Sequence, residues 1–324
     1  MLDWIKMNFD QLLKAYSPFK PEVHPEVDSA QKHTIEWATR FQIIENDVTY
    51  DRFYNENSAW LAGRTFIDAG LEELCIAGDW CSWLFLFDDQ CDNQDLGRQP
   101  DKLRKILDAF IDILEQDRKV TLKNGSPFEA SLSDFWERAR AKATHHWIER
   151  YRNSLIEYFH ALHWESKNRK QKKYPSVKSY IQHRIHSGAV YTVIDLADVV
   201  ENLSFSQEVL NDPTFNRLRY LANVISCWFN DVLSYEKEKS HNDYHNLVLT
   251  LENEKNIPVE EAITEAIRIH DQDVEEFIQL EKKIPSFGTQ MDDHIGKYLS
   301  VLRSWIRGHV DWSFNDTSRF TIYK

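Results

Sequence analysis

The chain has 324 residues, a formal net charge of −13 and 42% hydrophobic positions, which is ample apolar material for a large core. That acidic balance argues against nucleic-acid binding, which needs a basic face, and means that an anionic ligand requires metal ions or a few placed cations. No apolar run of about 20 residues is present to cross a bilayer, and Met1 to Lys14 carries scattered charge and no small-residue cleavage site, so a cytoplasmic protein without stable membrane insertion is expected.

Gly and Pro number only nine each, which disfavours a sheet-and-turn architecture. Eleven Trp, eighteen Phe and thirteen Tyr predict an aromatic-rich interior. Apolar residues recur at helical steps through 31–45, 65–92, 101–120, 130–165, 174–202, 213–239, 258–282 and 287–313. The breaks fall at Pro100, Asn124 to Pro127, Pro175, Asp212-Pro213, Pro258 and Pro285 to Gly288. With no repeat and no linker, one all-α domain of about ten helices over residues 1–324 is the expectation. Cys75, Cys81, Cys91 and Cys227 form no Cys-x-x-Cys pair and read as buried thiols in a reducing compartment.

The second helical run is almost wholly apolar from Trp80 to Phe87 and ends in Asp88-Asp89-Gln90-Cys91-Asp92. Asp88 and Asp92 lie one turn apart and point the same way. Like charges on a buried helix cost stability unless a cation neutralises them, and a bound metal is the simplest such cation. The basic block Lys167 to Lys173 reads as a solvated loop between helices. Farther on, Arg184 precedes Gly188 in a helical stretch. A mid-helix Gly costs about 1 kcal/mol against Ala, so it marks a break or a close approach of ligand to backbone. A break exposes carbonyl groups, which stabilise positive charge. Asn230, Ser234 and Glu238 then align an amide, a hydroxyl and a carboxylate over two turns, with Lys237 beside the last. Such oxygen donors suit Mg²⁺, which keeps sites for waters and substrate phosphates.

These motifs resemble those of the bacterial class I terpene cyclases. That family carries D-D-x-x-(x)-D/E, then N-D-x-x-S-x-x-K/R-E, and an Arg placed 46 residues before the Asn; here that position is Arg184. His24-Pro25, Gln31 to Ala38, Asn246-Leu247-Val248 and Trp305 to Trp312 extend the likeness over most of the chain. The resemblance implies a helical bundle around a central cavity, with residues 1–25 as an N-terminal extension and 315–324 closing over the site. It implies three Mg²⁺ ions and an allylic isoprenoid diphosphate, farnesyl diphosphate first and geranylgeranyl diphosphate as the alternative. Asp88 would lead one metal site with Asp92 as a weaker ligand, and Asn230, Ser234 and Glu238 would hold another. Arg184, Lys237 and Arg319 would contact pyrophosphate, and Asp89 would pair with Arg184 once substrate arrives. Ser187 and Gly188 take the family's linker and effector places. Phe66, Phe85, Trp228, Trp305 and Trp312 are the candidate aromatics facing the carbocation. Family members often form homodimers, and that expectation comes with the resemblance.

One position departs from the family. An Arg-Tyr pair usually follows the second motif, whereas here it is Arg319-Phe320, so the Tyr hydroxyl is lost unless Tyr323 supplies it. A chain-elongating prenyltransferase would need a second Asp-rich motif, and Asp292-Asp293-His294 lacks the third Asp. The pairs Glu157/His160 and Glu238/His241 also match Glu-x-x-His, which makes a di-iron carboxylate bundle the distant alternative.

Overall fold

Short polar side chains and prolines start the helices that build the site. In the computed structural model, which describes residues 12–44, 46–93 and 96–320, Pro100 opens one long helix and Pro213 another. Ser126 and Glu129 form a reciprocal capping box, Thr144 caps through the Trp147 amide, and Ser176 through the Ser179 amide. Asn246 accepts from both Val248 N and Leu249 N. The side chains of Asp92 and Asn93 and all of Tyr323 lie outside the described residues.

Among the described residues, after helical residues 12–15, the α-helices in chain order are α1 Val27–Arg40, α2 Asp47–Glu56, α3 Ser58–Thr65, α4 Leu71–Asn93, α5 Pro100–Glu115, α6 Pro127–Ala141, α7 His145–Gln171, α8 Val177–Ser187, α9 Val190–Ile194, α10 Ala197–Val200, α11 Gln207–Asn211, α12 Pro213–Ser240, α13 Leu247–Lys255, α14 Val259–Leu280 and α15 Thr289–Asp311. A π-turn, Trp312–Asp316, follows the last. The segmentation is finer than periodicity alone suggested. Beyond Thr65 the 65–92 run becomes helical only from Leu71, the 130–165 run breaks before the Thr144 cap, and 174–202 falls into three pieces. Helices α2, α11 and α13, and all of α3 but its last residue, lie outside the runs that were foreseen.

Helix α4 is buried on nearly every side from Leu74 to Phe87, the Asp79 carboxylate included, because it is packed on several sides. It lies against α1, α3 and α6, while α12 packs on α14 and α15. Trp80 stacks on Trp83, and Trp83 on Phe87, with centroids 5.2 and 5.1 Å apart. Phe110, Phe128 and Phe159 meet Trp83 edge-on. Each fully buried large apolar side chain contributes roughly 1.5–3 kcal/mol, so this stack anchors the helix that carries Asp88 in its last turns. The four cysteines are buried and form no disulfide. No helix among the described residues is long and apolar enough to cross a membrane.

Candidate active site

Residues from α4, α7, α8, α12 and α15 line one cavity of about 420 Å³. Asp88, Arg184, Ser187, Gly188, Asn230, Ser234, Lys237, Glu238 and Arg319 all stand on its wall, so Asp88 of the first oxygen row, the whole of the second row and the expected cations share one space. Each row occupies the C-terminal part of its helix, where the macrodipole already places partial negative charge. Two carboxylate-bearing helix ends at one cavity therefore favour a cation.

In the Asp-rich row, arginines supply that cation. Arg319 reaches Glu56 at 3.0 Å, Asp89 at 3.2 Å and Asp88 at 3.5 Å, and its guanidinium lies 4.8 Å from the centre of the Phe85 ring. Arg52 of α2 takes Asp89 at 2.7 Å and Glu56 at 3.5 Å. Burial disfavours the charge on Arg319, but Asp89, Glu56 and Asp88 outweigh it and hold the group more firmly protonated. Burial raises the Glu56 carboxyl even so, with Asp89 adding to it against Arg319. Around Asp88 and Asp89, then, guanidinium groups already supply positive charge; the Asp92 side chain, the other half of the argument from sequence, lies outside the described residues. Glu56 and Arg52 are site residues that sequence reasoning missed.

Arg184 is held by a second knot. Its Nη2 donates to Asn230 Oδ1 at 2.9 Å and Asp231 Oδ1 at 2.7 Å. Asp231 is fully buried; it also accepts from Tyr180 OH at 2.6 Å and Leu247 N at 2.9 Å. In this structure, then, Arg184 pairs with Asp231, and Asp89 pairs with Arg52 and Arg319. The Ser234 hydroxyl sits 2.7 Å from the Asn230 carbonyl and 2.8 Å from Glu238 Oε1. Asn246 Nδ2 donates to Glu238 Oε2 at 2.7 Å and to the Asp231 carbonyl at 2.6 Å. Burial, then Asp231 and Asp243, push the Glu238 carboxyl well up. Asp231 and Asn246 orient this row without belonging to it.

Several polar atoms at the cavity are sealed with no partner among the described residues: Arg184 Nε, Ser187 Oγ, Trp305 Nε1 and His309 Nδ1. The Lys237 ammonium likewise has no ion pair among them. Unsatisfied Arg and Ser groups beside an unpaired Lys fit an anion of several oxygens. The amide–hydroxyl–carboxylate set of Asn230, Ser234 and Glu238 fits a hard divalent cation.

Gly188 marks a break, as its place in the sequence suggested. Helix α8 stops at Ser187, and Ala189 takes the left-handed turn at φ 58°. The glycine is required by contact instead: an added Cβ would lie 2.6 Å from Cys227 Sγ and 3.2 Å from the Arg184 carbonyl. The Ser187 and Gly188 carbonyls accept no backbone hydrogen bond among the described residues.

The aromatic candidates divide. Phe85 and Trp305 line the cavity, as does Phe320. Phe66, Trp228 and Trp312 do not. Trp228 sits on the far side of α12, with Nε1 donating to Asp273 Oδ2 at 2.9 Å. Phe66 is fully buried in the core where α3 ends. Trp312 supports Phe85 from behind, stacked at 5.1 Å, and meets Phe320 edge-on. The basic block is also not wholly a loop, because α7 runs to Gln171. Its Arg169 pairs with Asp243 at 2.9 Å and Glu165 at 3.2 Å on the cavity wall. Burial alone would raise the Asp243 carboxyl, but Arg169 and His245 hold it well below the usual range. Glu157 and His160 are exposed, and no three His, Cys, Asp or Glu side chains among the described residues converge to hold a metal, which is unlike a di-iron core.

The sequence profile of terpene synthase family 2, C-terminal metal binding, matches residues 79–276, the stretch that carries both rows. The chain belongs to the terpene synthase family. Germacrene A synthase of Nostoc punctiforme is 31% identical over 299 residues, covering 92% of each chain. A (+)-T-muurolol synthase of Roseiflexus castenholzii, named as cyclising (2E,6E)-farnesyl diphosphate, is 32% identical over 98% of this chain and 97% of its own. In fold, the terpene synthase is similar to linalool/nerolidol synthase from Streptomyces clavuligerus, with a TM-score of 0.82 at 21% identity over 90% of this chain and 98% of that one. As a terpene synthase the protein is a lyase acting on a diphosphate ester, and its family uses divalent metal.

Proposed function

We propose that this terpene synthase is a Mg²⁺-dependent class I cyclase that ionises farnesyl diphosphate and cyclises the resulting cation to a sesquiterpene. The supporting observation is that Asp88, the row Asn230, Ser234 and Glu238, and Arg184, Lys237 and Arg319 line the same cavity as Leu61, Leu84, Phe85, Val193 and Trp305. One part is built for an anion and its metals, the other for a hydrocarbon. The full-length likeness to a farnesyl-diphosphate-cyclising relative supports the C15 substrate.

Asp88 with Asp92, and Asn230 with Ser234 and Glu238, would hold Mg²⁺, three ions in all. Bound Mg²⁺ supplies positive charge where pyrophosphate develops negative charge as the C–O bond breaks. Arg184, kept in place by Asp231, presents its unsatisfied Nε to the diphosphate beside Ser187 Oγ. Lys237 and Arg319 add cations, and residues 315–320, which carry Arg319, close over the site. With Arg319 on a phosphate, Asp89 becomes available to Arg184. The carbonyls at Ser187 and Gly188 face the nascent allylic cation, and Phe85 and Trp305 give it aromatic faces while excluding water.

The test incubates purified protein with Mg²⁺ and, separately, geranyl, farnesyl and geranylgeranyl diphosphate, each with an EDTA control, followed by gas chromatography–mass spectrometry. A cyclic C15 product from farnesyl diphosphate that EDTA removes is the expected result. A cyclic C20 product alone, or no product from any of the three, refutes the reading.

A further inference from the structure

A carbocation cascade that ends in an olefin needs a group to take up a proton, and few groups on this wall are able to. Asp88 lies against Arg319, and Glu165 and Asp243 hold Arg169. Glu238 is bonded to Ser234 and Asn246. His245 is tied to Asp243 through Nδ1 at 3.0 Å, and the His241 ring to the Lys237 carbonyl at 2.7 Å. Burial pushes the Cys81 and Cys227 thiols up to about 12, so neither offers a thiolate.

His309 is different. It lines the cavity one turn after Trp305 on α15, on the same face, and is 8% exposed. Its ring makes no hydrogen bond among the described residues, and Nδ1 is sealed without a partner. A buried ring nitrogen with nothing to bond is uncommon and asks for a reason. The ring stacks between Trp305 at 5.8 Å and Trp312 at 6.3 Å, with Phe229 edge-on at 5.5 Å. It is therefore a base set within the aromatic wall.

We propose that His309 is the catalytic base that ends the reaction by accepting a proton from the cyclised cation. A C–H bond next to the charged carbon breaks, its electron pair becomes the new C=C bond, and the proton moves to an imidazole nitrogen. The imidazolium then gives the proton to pyrophosphate or to water as the site opens. Burial first, and the charge of Arg184 second, lower the ring's affinity for protons to a pKa of about 4, so it waits in the neutral form. Low basicity does not hinder the step, because an alkyl carbocation is a far stronger acid than an imidazolium.

The inference rests on the cyclase reading, and the two are tested by separate readouts. Pyrophosphate release from farnesyl diphosphate by the unaltered protein with Mg²⁺ tests the substrate reading. The amount of wild-type olefin formed per pyrophosphate released tests His309, using His309→Phe, which keeps a ring, and His309→Ala. The ratio is expected to fall at least fivefold in both. In His309→Ala, added imidazole should restore it, whereas pyrrole, of the same shape but without a basic lone pair, should not. An unchanged ratio in either variant, equal restoration by pyrrole, or restoration by neither additive would make His309 part of the wall only.

Discussion

Removing the Asp231 charge tests whether the Arg184 knot is structural as well as functional. Asp231 is fully buried and accepts from Arg184 Nη2, Tyr180 OH and Leu247 N at 2.7, 2.6 and 2.9 Å. In Asp231→Asn one oxygen becomes an NH₂ group, so a donor faces a donor on whichever side it lies. Arg184, whose side chain is 13% exposed, keeps its charge without a carboxylate. Stranding one member of a buried pair costs about 3–5 kcal/mol, a large part of the roughly 5–15 kcal/mol of a typical domain. For 324 residues, an unfolding entropy of about 2.1 cal/mol/K per residue gives ~0.7 kcal/mol/K, so Tm should fall by about 4–7 °C. Displacing Arg184 by about 1 Å should also lower cyclisation on the order of 100-fold. Thermal unfolding by circular dichroism and product formation by gas chromatography–mass spectrometry read the two effects. A Tm within about 1 °C of the parent, with unimpaired turnover, would refute the reasoning.

Asp88→Ala and Glu238→Ala are each expected to abolish product formation while far-ultraviolet dichroism still reports a helical protein; retained turnover in both would remove the metal rows. Arg319→Ala should lower turnover more than Phe320→Ala, since only Arg319 reaches Asp88, Asp89 and Glu56, and equal losses would mean the pair is misassigned. Gly188→Ala should be overpacked by about 1–3 kcal/mol against Cys227 Sγ, and Cys227→Ala in the same chain should recover much of that loss; strictly additive unfolding energies would contradict it. Glu201 is pushed up to about 7 by burial and by Asp68. A carboxyl raised in the fold favours the folded state at low pH and weakens it as pH rises from about 4.3 through 7. Glu201→Gln should therefore stabilise the protein at pH 8, by a modest amount because the group is partly exposed and screened by solvent, and leave it unchanged near pH 4, as denaturant titrations at both values would show.

Local chemistry made the helices legible where a cap or a proline was present. Pro100, Pro213 and the Ser126–Glu129 box each begin a helix where the breaks were placed. Asn230, Ser234 and Glu238 also reached one cavity together, because i, i+4 geometry is a local property. Contacts between distant elements were not legible. Nothing in Arg52 or Glu56 announces that α2 will meet Arg319, more than 260 residues on for Glu56. Apolar character in Trp228 does not say which side of α12 it covers, and that side is decided by Asp273 on α14. Gly188 was legible as a special position, but its cause, the Cys227 sulfur, belongs to tertiary packing.

Arg319 lying among Glu56, Asp88 and Asp89 has a thermodynamic corollary. A divalent ion approaching Asp88 in the absence of diphosphate competes with a guanidinium already seated there, which weakens its affinity for the free protein. A diphosphate offers Arg319 another anion and releases the carboxylates. Metal and diphosphate therefore assist each other's binding, and by linkage the assistance is equal in both directions. The acidic row then responds to metal chiefly when there is something to ionise, and Arg319 makes occupancy by one ligand conditional on the other.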